Sequence, residues 1–299
     1  MTKRIGIDRR HVPEQGMMSL NQHFDERSRG RLHSAAADFS PSDINNLLAW
    51  YKIDSFTQSH NDAIGTWTDS SGNGYNLSQA TTSSKPTYKT DRQLNGHDAL
   101  WFDGGDDMLN NSISSTSNLN FTLFFATDSN SFNYGFIGSF DNGTNGYANG
   151  RKYLGVNPKY YVAGSNSVYT NSHTVYRNEG SSFWNREHRR SKSGVEAYPA
   201  VLSYRFSTPS GTKTQCYGKF NGVGGDIAYI QRNEAFVTAF SLGSAMGNYQ
   251  RYRGHIYECV IYSADLTEAQ VEQVEGYLAW KYGLGERIAR DHSYAAGKP

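Results

Sequence analysis

What this chain has little of narrows its class first. It has two cysteines in 299 residues, Cys216 and Cys259. Both lie in strand-like runs and read as small buried hydrophobes rather than a disulfide or a reactive thiol. Net charge is +1, so no broad field draws nucleic acid or an anionic membrane. No apolar run approaches the length of a membrane span, and membrane insertion is not expected. The first thirty residues lack the apolar core of a secretory signal, so Sec-type export is not expected. The nine histidines show no His-x-x-x-His pattern, and there is no Cys-x-x-Cys, which excludes a zinc motif. Gly222-Val-Gly-Gly225 lacks the Lys-Ser/Thr of a phosphate loop and reads as a turn. No internal repeat recurs at a fixed period.

What is abundant points to short strands and turns. Aromatics make up 14% of the chain, with 21 Tyr, beside 30 Gly. Many Tyr, Ser, Asn, Thr and Gly with few charges suit an all-β domain. Leu47 to Ile53 reads as the first strand, after a turn or short helical start at Pro41-Ser-Asp43. Phe121-Thr-Leu-Phe-Phe-Ala126 is apolar enough to be a central strand. Ala200 to Phe206 and Thr214 to Phe220 pair as a hairpin around Pro209-Ser-Gly211. Tyr257 to Tyr262 alternates as the closing strand, with Cys259 on the face of Tyr257 and Ile261. A helix follows, opened by a Thr267/Gln270 capping box, with Val271, Val274, Leu278 and Lys281 as its inner stripe and Gly283 as its stop. Arg177 to Gly194, containing Arg186-Glu-His-Arg-Arg190, has no apolar period and reads as a solvated surface excursion.

The two ends differ from this body. Met1 to Ser34 holds seven Lys or Arg, four acids and few large apolar residues. Such a stretch cannot bury a core of its own. Residues 1–43 are therefore expected to form an extended arm that orders only against a neighbouring molecule, since fixing each residue costs about 1–2 kcal/mol. Arg4, Arg9, Arg10, Arg27, Arg29 and Arg31 are its anchoring candidates. Residues 44–285 form the sandwich and 286–299 a polar tail.

Three stretches carry a family resemblance. They are Leu48-Ala-Trp-Tyr-Lys-Ile-Asp54 with Trp67-Thr-Asp-Ser-Ser-Gly-Asn-Gly-Tyr-Asn-Leu77, then Leu94 to Met108, then Gly254 to Gly285. In order and spacing they resemble the concanavalin A-like lectin/glucanase (laminin G-like) jelly rolls. The resemblance implies an all-β, two-sheet antiparallel jelly-roll sandwich with first and last strands adjacent and one C-terminal α-helix. It puts Trp50, Trp67, Trp101 and Trp280 in the core. It does not imply one function. Glycosidases of this fold carry a Glu-x-Asp strand motif, which this chain lacks throughout; Glu258 stands alone on its strand. The chain is therefore not expected to be an enzyme.

The remaining candidates are binding groups. Asp103-Gly-Gly-Asp-Asp107 offers hard oxygens suited to Ca²⁺, and Asp103, Asp106 and Asp107 are the metal candidates. The cluster lacks the spacing of a calcium loop, so an Asp-capped turn is the plainer reading and no cofactor is expected. For glycan stacking the candidates are Trp184, Tyr147, Tyr160 and Tyr169. A surface-type fold without an export signal or a carboxylate pair, with polar ends expected to order against neighbours, suggests a bacteriophage virion structural protein, since the resembled family is one that phage particles commonly carry. It would be a capsid decoration protein, head fibre or tail fibre, assembled in the host cytoplasm. Its partners would be other virion proteins held through the arm, in multiple copies, with host glycans touched by the sandwich and no nucleic acid bound. The alternative is a carbohydrate-binding module of a cell-surface or exported protein.

Overall fold

A computed structural model describes residues 39–116, 120–129, 137–141, 153–161, 168–179, 183–190, 199–207, 213–224, 228–231, 237–244 and 251–299. In chain order the described strands are β1 (Leu47–Lys52), β2 (Thr66–Trp67), β3 (Leu77–Ser78), β4 (Thr87–Leu94), β5 (His97–Asp103), β6 (Leu109–Thr116), β7 (Phe121–Asp128), β8 (Gly138–Asp141) and β9 (Tyr153–Tyr161). They continue with β10 (Val168–Glu179), β11 (Phe183–Arg190), β12 (Ala200–Ser207), β13 (Lys213–Phe220), β14 (Val223–Gly224), β15 (Ala228–Gln231), β16 (Val237–Leu242) and β17 (Arg253–Tyr262). A single α-helix among the described residues, α1 (Glu268–Lys281), follows β17.

The strands form two antiparallel sheets. One runs β14-β13-β12-β7-β17-β5-β4, with β1 also on β17 and β15 on β13. The other runs β11-β10-β9-β8-β16-β6-β3-β2. The fold is thus the all-β two-sheet sandwich expected, with β1 against β17 and β7 central between β12 and β17. The β12–β13 hairpin also forms as expected. Between the sheets, Phe121 of β7 stacks on Phe140 of β8 at 4.3 Å, and Phe140 meets Phe240 of β16 at 5.1 Å. Trp67 of β2 meets Tyr51 of β1 at 6.0 Å. Each such buried side chain contributes about 1.5–3 kcal/mol.

The motif Asp69-Ser-Ser-Gly-Asn-Gly74 is a fastening of β1. Asp69 is buried and its carboxylate accepts from the backbone N–H of Trp50, Ser71 and Tyr75 and from the Ser71 hydroxyl. Asn73 donates to the carbonyls of Leu47 and Leu48. The loop thus caps an edge strand whose backbone groups have few other partners. The β4–β5 hairpin turns through Asn95 (φ 50°) and Gly96 (φ 83°), the pair a two-residue turn with two positive φ angles selects.

Helix α1 begins as its sequence dictates. The Thr267 side chain accepts from Gln270 N, Gln270 Oε1 accepts from Thr267 N, and Gly283 stops the helix at φ 69°. Val271, Val274, Glu275, Leu278 and Ala279 are buried, so one stripe lies on the outer face of the nine-stranded sheet. The continuous apolar run of β7 follows: it is buried on both faces, by the opposite sheet and by the helix side.

Two expectations are corrected. The stretch from Arg177 to Gly194 is not an unstructured excursion: β10 and β11 pair from Ser172↔Arg190 to Glu179↔Phe183. The strands were hidden because the stretch shows no apolar period in the sequence. Tyr257 does not share the face of Cys259. A bulge sets Ile256 opposite Thr127 and Glu258 opposite Ala126, so Tyr257 is the extra residue. Its ring meets Tyr282, at the end of α1, at 5.6 Å. Cys259 stands opposite Tyr51. Both cysteines are buried and free.

Candidate functional site

The bulge at Tyr257 delivers Glu258 to the helix side of the sheet, where it is fully buried. Four donors converge on it. Trp50 Nε1 (2.5 Å) and the Tyr277 hydroxyl (3.0 Å) donate to Oε1, while Lys281 Nζ (2.6 Å) and the Tyr282 hydroxyl (2.7 Å) donate to Oε2. Burial, then the Glu258 charge, pushes the Tyr277 and Tyr282 hydroxyls far up, which keeps both as donors. Lys281 also reaches Asp54 at 2.8 Å, and His97 Nδ1 donates to Asp54 at 2.6 Å. Burial alone would raise the Asp54 carboxyl, but the hydrogen bonds from Lys281 and His97 outweigh it and hold the group low.

On the solvent side of this network lies a cleft of about 420 Å³. Tyr277, Trp280 and Lys281 come from the last turns of α1, where a spacing of three and four places them on one face. Asn95 and His97 come from the β4–β5 hairpin, Phe39 from the segment before β1, and Lys298 and Pro299 from the last residues. The pieces lock together. Asn95 Nδ2 donates to the Lys281 carbonyl at 2.8 Å. Trp280 Nε1 donates to the Tyr294 carbonyl at 2.8 Å. Phe39 meets Tyr277 edge to face at 6.2 Å. None of the lining side chains is acidic. The site offers aromatic faces, one amide and three nitrogen-bearing side chains.

A second buried network fixes the other half of α1. Glu275 accepts from Ser203 of β12 (2.5 Å) and from His292 Nε2 (3.1 Å), with Lys219 Nζ at 3.6 Å. Lys219 also pairs with Glu268. This holds residues 288–299 against the helix and so sets the cleft's far wall.

The acidic cluster is present as three side chains whose carboxylate oxygens lie within 4.8 Å of one another: Asp103, Asp106 and Asp107. Asp107 is buried and accepts from Asp103 N at 2.9 Å. Burial, with the Asp103 and Asp106 charges adding to it, pushes its carboxyl up to about 7 against that hydrogen bond. Asp106 accepts from the Ser84 hydroxyl at 2.8 Å, and Gly105 N donates to Asp103 at 2.6 Å. These bonds make the Asp-capped turn; the same oxygens are hard donors that suit Ca²⁺.

The other sequence candidates fall elsewhere. Tyr160 and Tyr169 are register partners on β9 and β10. Trp184 stands on β11 opposite Asn178. Tyr147 lies outside the described residues, as do Arg4, Arg9, Arg10, Arg27, Arg29 and Arg31. Trp280 and Trp101 are half-buried rather than core, unlike Trp50 and Trp67. Trp101 stacks with His255 at 4.6 Å. The cleft residues Phe39, Asn95 and His97 escaped the sequence reading because they are distant in the chain. The Tyr277/Trp280/Lys281 spacing was the one signal available.

No protein-family model and no curated protein matches the chain. Solved structures to which this chain is similar include domain 4 of AbnA, a GH43 extracellular arabinanase from Geobacillus stearothermophilus, in complex with arabinotriose. It is 17% identical, with 76% of this chain and 96% of that chain covered and a TM-score of 0.48. An arabinofuranosidase complexed with arabinofuranosyl-alpha-1,2-xylobiose is 13% identical over 83% of this chain and 61% of that chain, TM-score 0.49. The binding domain of botulinum neurotoxin DC in complex with SialylT is 12% identical over 80% and 52%, TM-score 0.46. This chain therefore spans less than two thirds of the latter two. All three TM-scores fall below 0.5, and the functional reading rests on this chain's own side chains.

Proposed function

We propose that this chain is a non-enzymatic carbohydrate-binding β-sandwich module whose binding surface is the cleft at the end of α1. The observation that carries this is the convergence of Phe39, Tyr277 and Trp280 with Asn95, His97 and Lys298 on one cavity of about 420 Å³. Sugar rings present flat C–H faces to aromatic side chains and hydroxyls to amides, and a site of this size encloses one or two rings. The neighbouring carboxylates are poor reagents for hydrolysis. Glu258 is sealed behind Tyr277 with both oxygens occupied, and Asp54 is held by Lys281 and His97. Paired catalytic carboxylates must face the scissile bond instead.

The test is a glycan array probed with the wild-type chain and with Phe39→Ala and Trp280→Ala, each checked for folding by thermal melt. Binding that both variants lose while remaining folded supports the reading. Binding unchanged in both variants, or no binding by the wild type, counts against it.

The composition of residues 1–34, with seven basic and four acidic residues, favours a second reading. There the module is a multi-copy structural protein of a virion, anchored through residues 1–43 and assembled in the host cytoplasm. Deletion of residues 1–38 should then abolish particle incorporation and leave the melt unchanged. Incorporation by the truncated chain would refute it.

A further inference from the structure

A chain of polar contacts runs from the buried sheet to the cleft through Glu258, Lys281, Asp54 and His97. The Lys281 ammonium donates to Glu258 at 2.6 Å and to Asp54 Oδ2 at 2.8 Å. Asp54 Oδ1 lies 2.6 Å from His97 Nδ1. Burial acts against the Asp54 charge, but the hydrogen bonds from Lys281 and His97 hold its carboxyl low. Asp54 is thus an ionised acceptor with no proton of its own to give, and the hydrogen of the Asp54–His97 bond sits on Nδ1. A neutral imidazole has one N–H, so His97 Nε2 carries a lone pair. His97 lines the cleft, and Tyr282 meets its ring edge to face at 5.1 Å. Nε2 has no partner among the described residues. What His97 offers a ligand is therefore an acceptor. Lys298 and the α-carboxylate of Pro299 line the same cleft with opposite signs, and the carbonyl end of α1 adds partial negative charge.

We propose that Asp54 sets the ligand class of the cleft: by keeping the His97 proton on Nδ1, it makes Nε2 accept a hydroxyl of a neutral sugar and turn away the carboxylated counterpart. This rests on the carbohydrate reading above and names its ligand class. Asp54 acts through His97 and is a positioning residue. A sugar hydroxyl can donate to Nε2. A carboxylate has no hydrogen to give and would set its lone pairs against that of the ring. In a Ser-His-Asp triad an aspartate likewise fixes which ring nitrogen bears the hydrogen, and the matching asparagine gives the wrong tautomer. Asp54→Asn should do the same here. Its amide oxygen goes to the Lys281 ammonium, because an amide N–H would be repelled by that cation. Its nitrogen then donates to His97 Nδ1, the ring proton moves to Nε2, and Nε2 becomes a donor.

The experiment compares the full chain with its Asp54→Asn variant at about pH 8, above the range in which free imidazole takes up a proton. Nitrogen NMR of the imidazole rings, assigned through His97→Gln, reads the tautomer without any ligand. The hydrogen should be on His97 Nδ1 in the wild type and on Nε2 in Asp54→Asn, a change that a merely structural role for Asp54 would not produce. Both proteins are then titrated on a glycan array that carries neutral glycans beside their acidic counterparts, lactose with sialyllactose and cellobiose with cellobiouronic acid among them. The wild type should bind the neutral member of a pair about tenfold more tightly than the acidic one, and Asp54→Asn should bind the two about equally. Lys298 and Pro299 are the same in both proteins, so their charges cancel in the comparison. A bare Nδ1 in the wild type, tighter wild-type binding of the acidic members, or a preference that Asp54→Asn leaves unchanged overturns the inference and leaves the carbohydrate reading standing. Binding of no glycan by the wild type overturns both.

Discussion

Glu258→Gln is the most informative single change to the fold. The substitution keeps the shape and removes one acceptor oxygen with the negative charge. If the amide nitrogen takes the Oε1 position, Trp50 Nε1 and the Tyr277 hydroxyl lose their acceptor. If it takes the Oε2 position, Lys281 and Tyr282 lose theirs. Each buried donor left without a partner costs about 1–3 kcal/mol, and a tyrosine hydroxyl can rotate to recover part of it. Lys281 keeps Asp54 but loses its inner partner, and breaking a buried ion pair costs about 3–5 kcal/mol. These overlap rather than add, so the expected loss is about 4 kcal/mol. Urea unfolding followed by tryptophan fluorescence measures it, with an unchanged m-value as evidence that the native state is kept. Asp54→Asn is the internal control. Its side chain is 42% exposed, so solvent screening should limit its cost to below about 1 kcal/mol. A loss under 1 kcal/mol for Glu258→Gln, or equal losses for the two variants, would refute the reasoning.

Four further outcomes are expected. Asp107→Asn should leave stability unchanged near pH 4 and raise it above pH 7, by up to about 3 kcal/mol. The wild-type carboxyl titrates at about 7 in the fold against 3.8 unfolded, so the folded chain binds the extra proton and loses stability as pH rises through that window. His255 has the opposite sign. Burial and then Arg92 lower it to about 4 from 6.5, so its contribution is full above 6.5 and is lost as pH falls towards 4. His255→Gln should therefore stabilise the chain at pH 4 and change little at pH 8, and chemical denaturation across pH 4–8 reads both variants. Glu275→Gln should cost about 2–4 kcal/mol by taking the acceptor from His292 and the nearby charge from Lys219, which keeps Glu268, and amide exchange should show faster opening of residues 288–299. Gly96→Val should cost about 1–3 kcal/mol, because the turn requires φ 83° there; a thermal melt tests it.

Much of the fold was legible because its signals are local. Thr267, Gln270 and Gly283 announce both ends of α1, and Asp69-Ser-Ser-Gly-Asn-Gly74 announces a turn, though not the bonds by which Asp69 and Asn73 fasten β1. Phe121 to Ala126 announces a strand buried on two faces. What stayed hidden depends on pairing. A bulge is a mismatch between two strands, so nothing in Tyr257 or Glu258 alone shows that the alternation breaks there. β10 and β11 were hidden because Arg177 to Gly194 carries no apolar alternation, and their pairing is a property of two strands rather than of one. The cleft was hidden for the same kind of reason. It joins residues 39, 95, 97, 277–281 and 298–299, and only the helical part has a spacing that sequence can display. Trp280 was assigned to the core because a helix motif predicts which residues face inward, not where the stripe's margin meets a neighbouring hairpin.

The most direct test of the glycan-binding account places the ligand on the protein. The chain has five tryptophans, and labelling with 5-fluorotryptophan gives each one fluorine resonance, assigned by single Trp→Phe variants. On titration with a sugar that the array identifies, the Trp280 resonance should shift in a saturable way while those of the buried Trp50 and Trp67 stay fixed. A stationary Trp280 resonance, with the shift falling on Trp184 instead, would contradict the account and move the binding surface to β11.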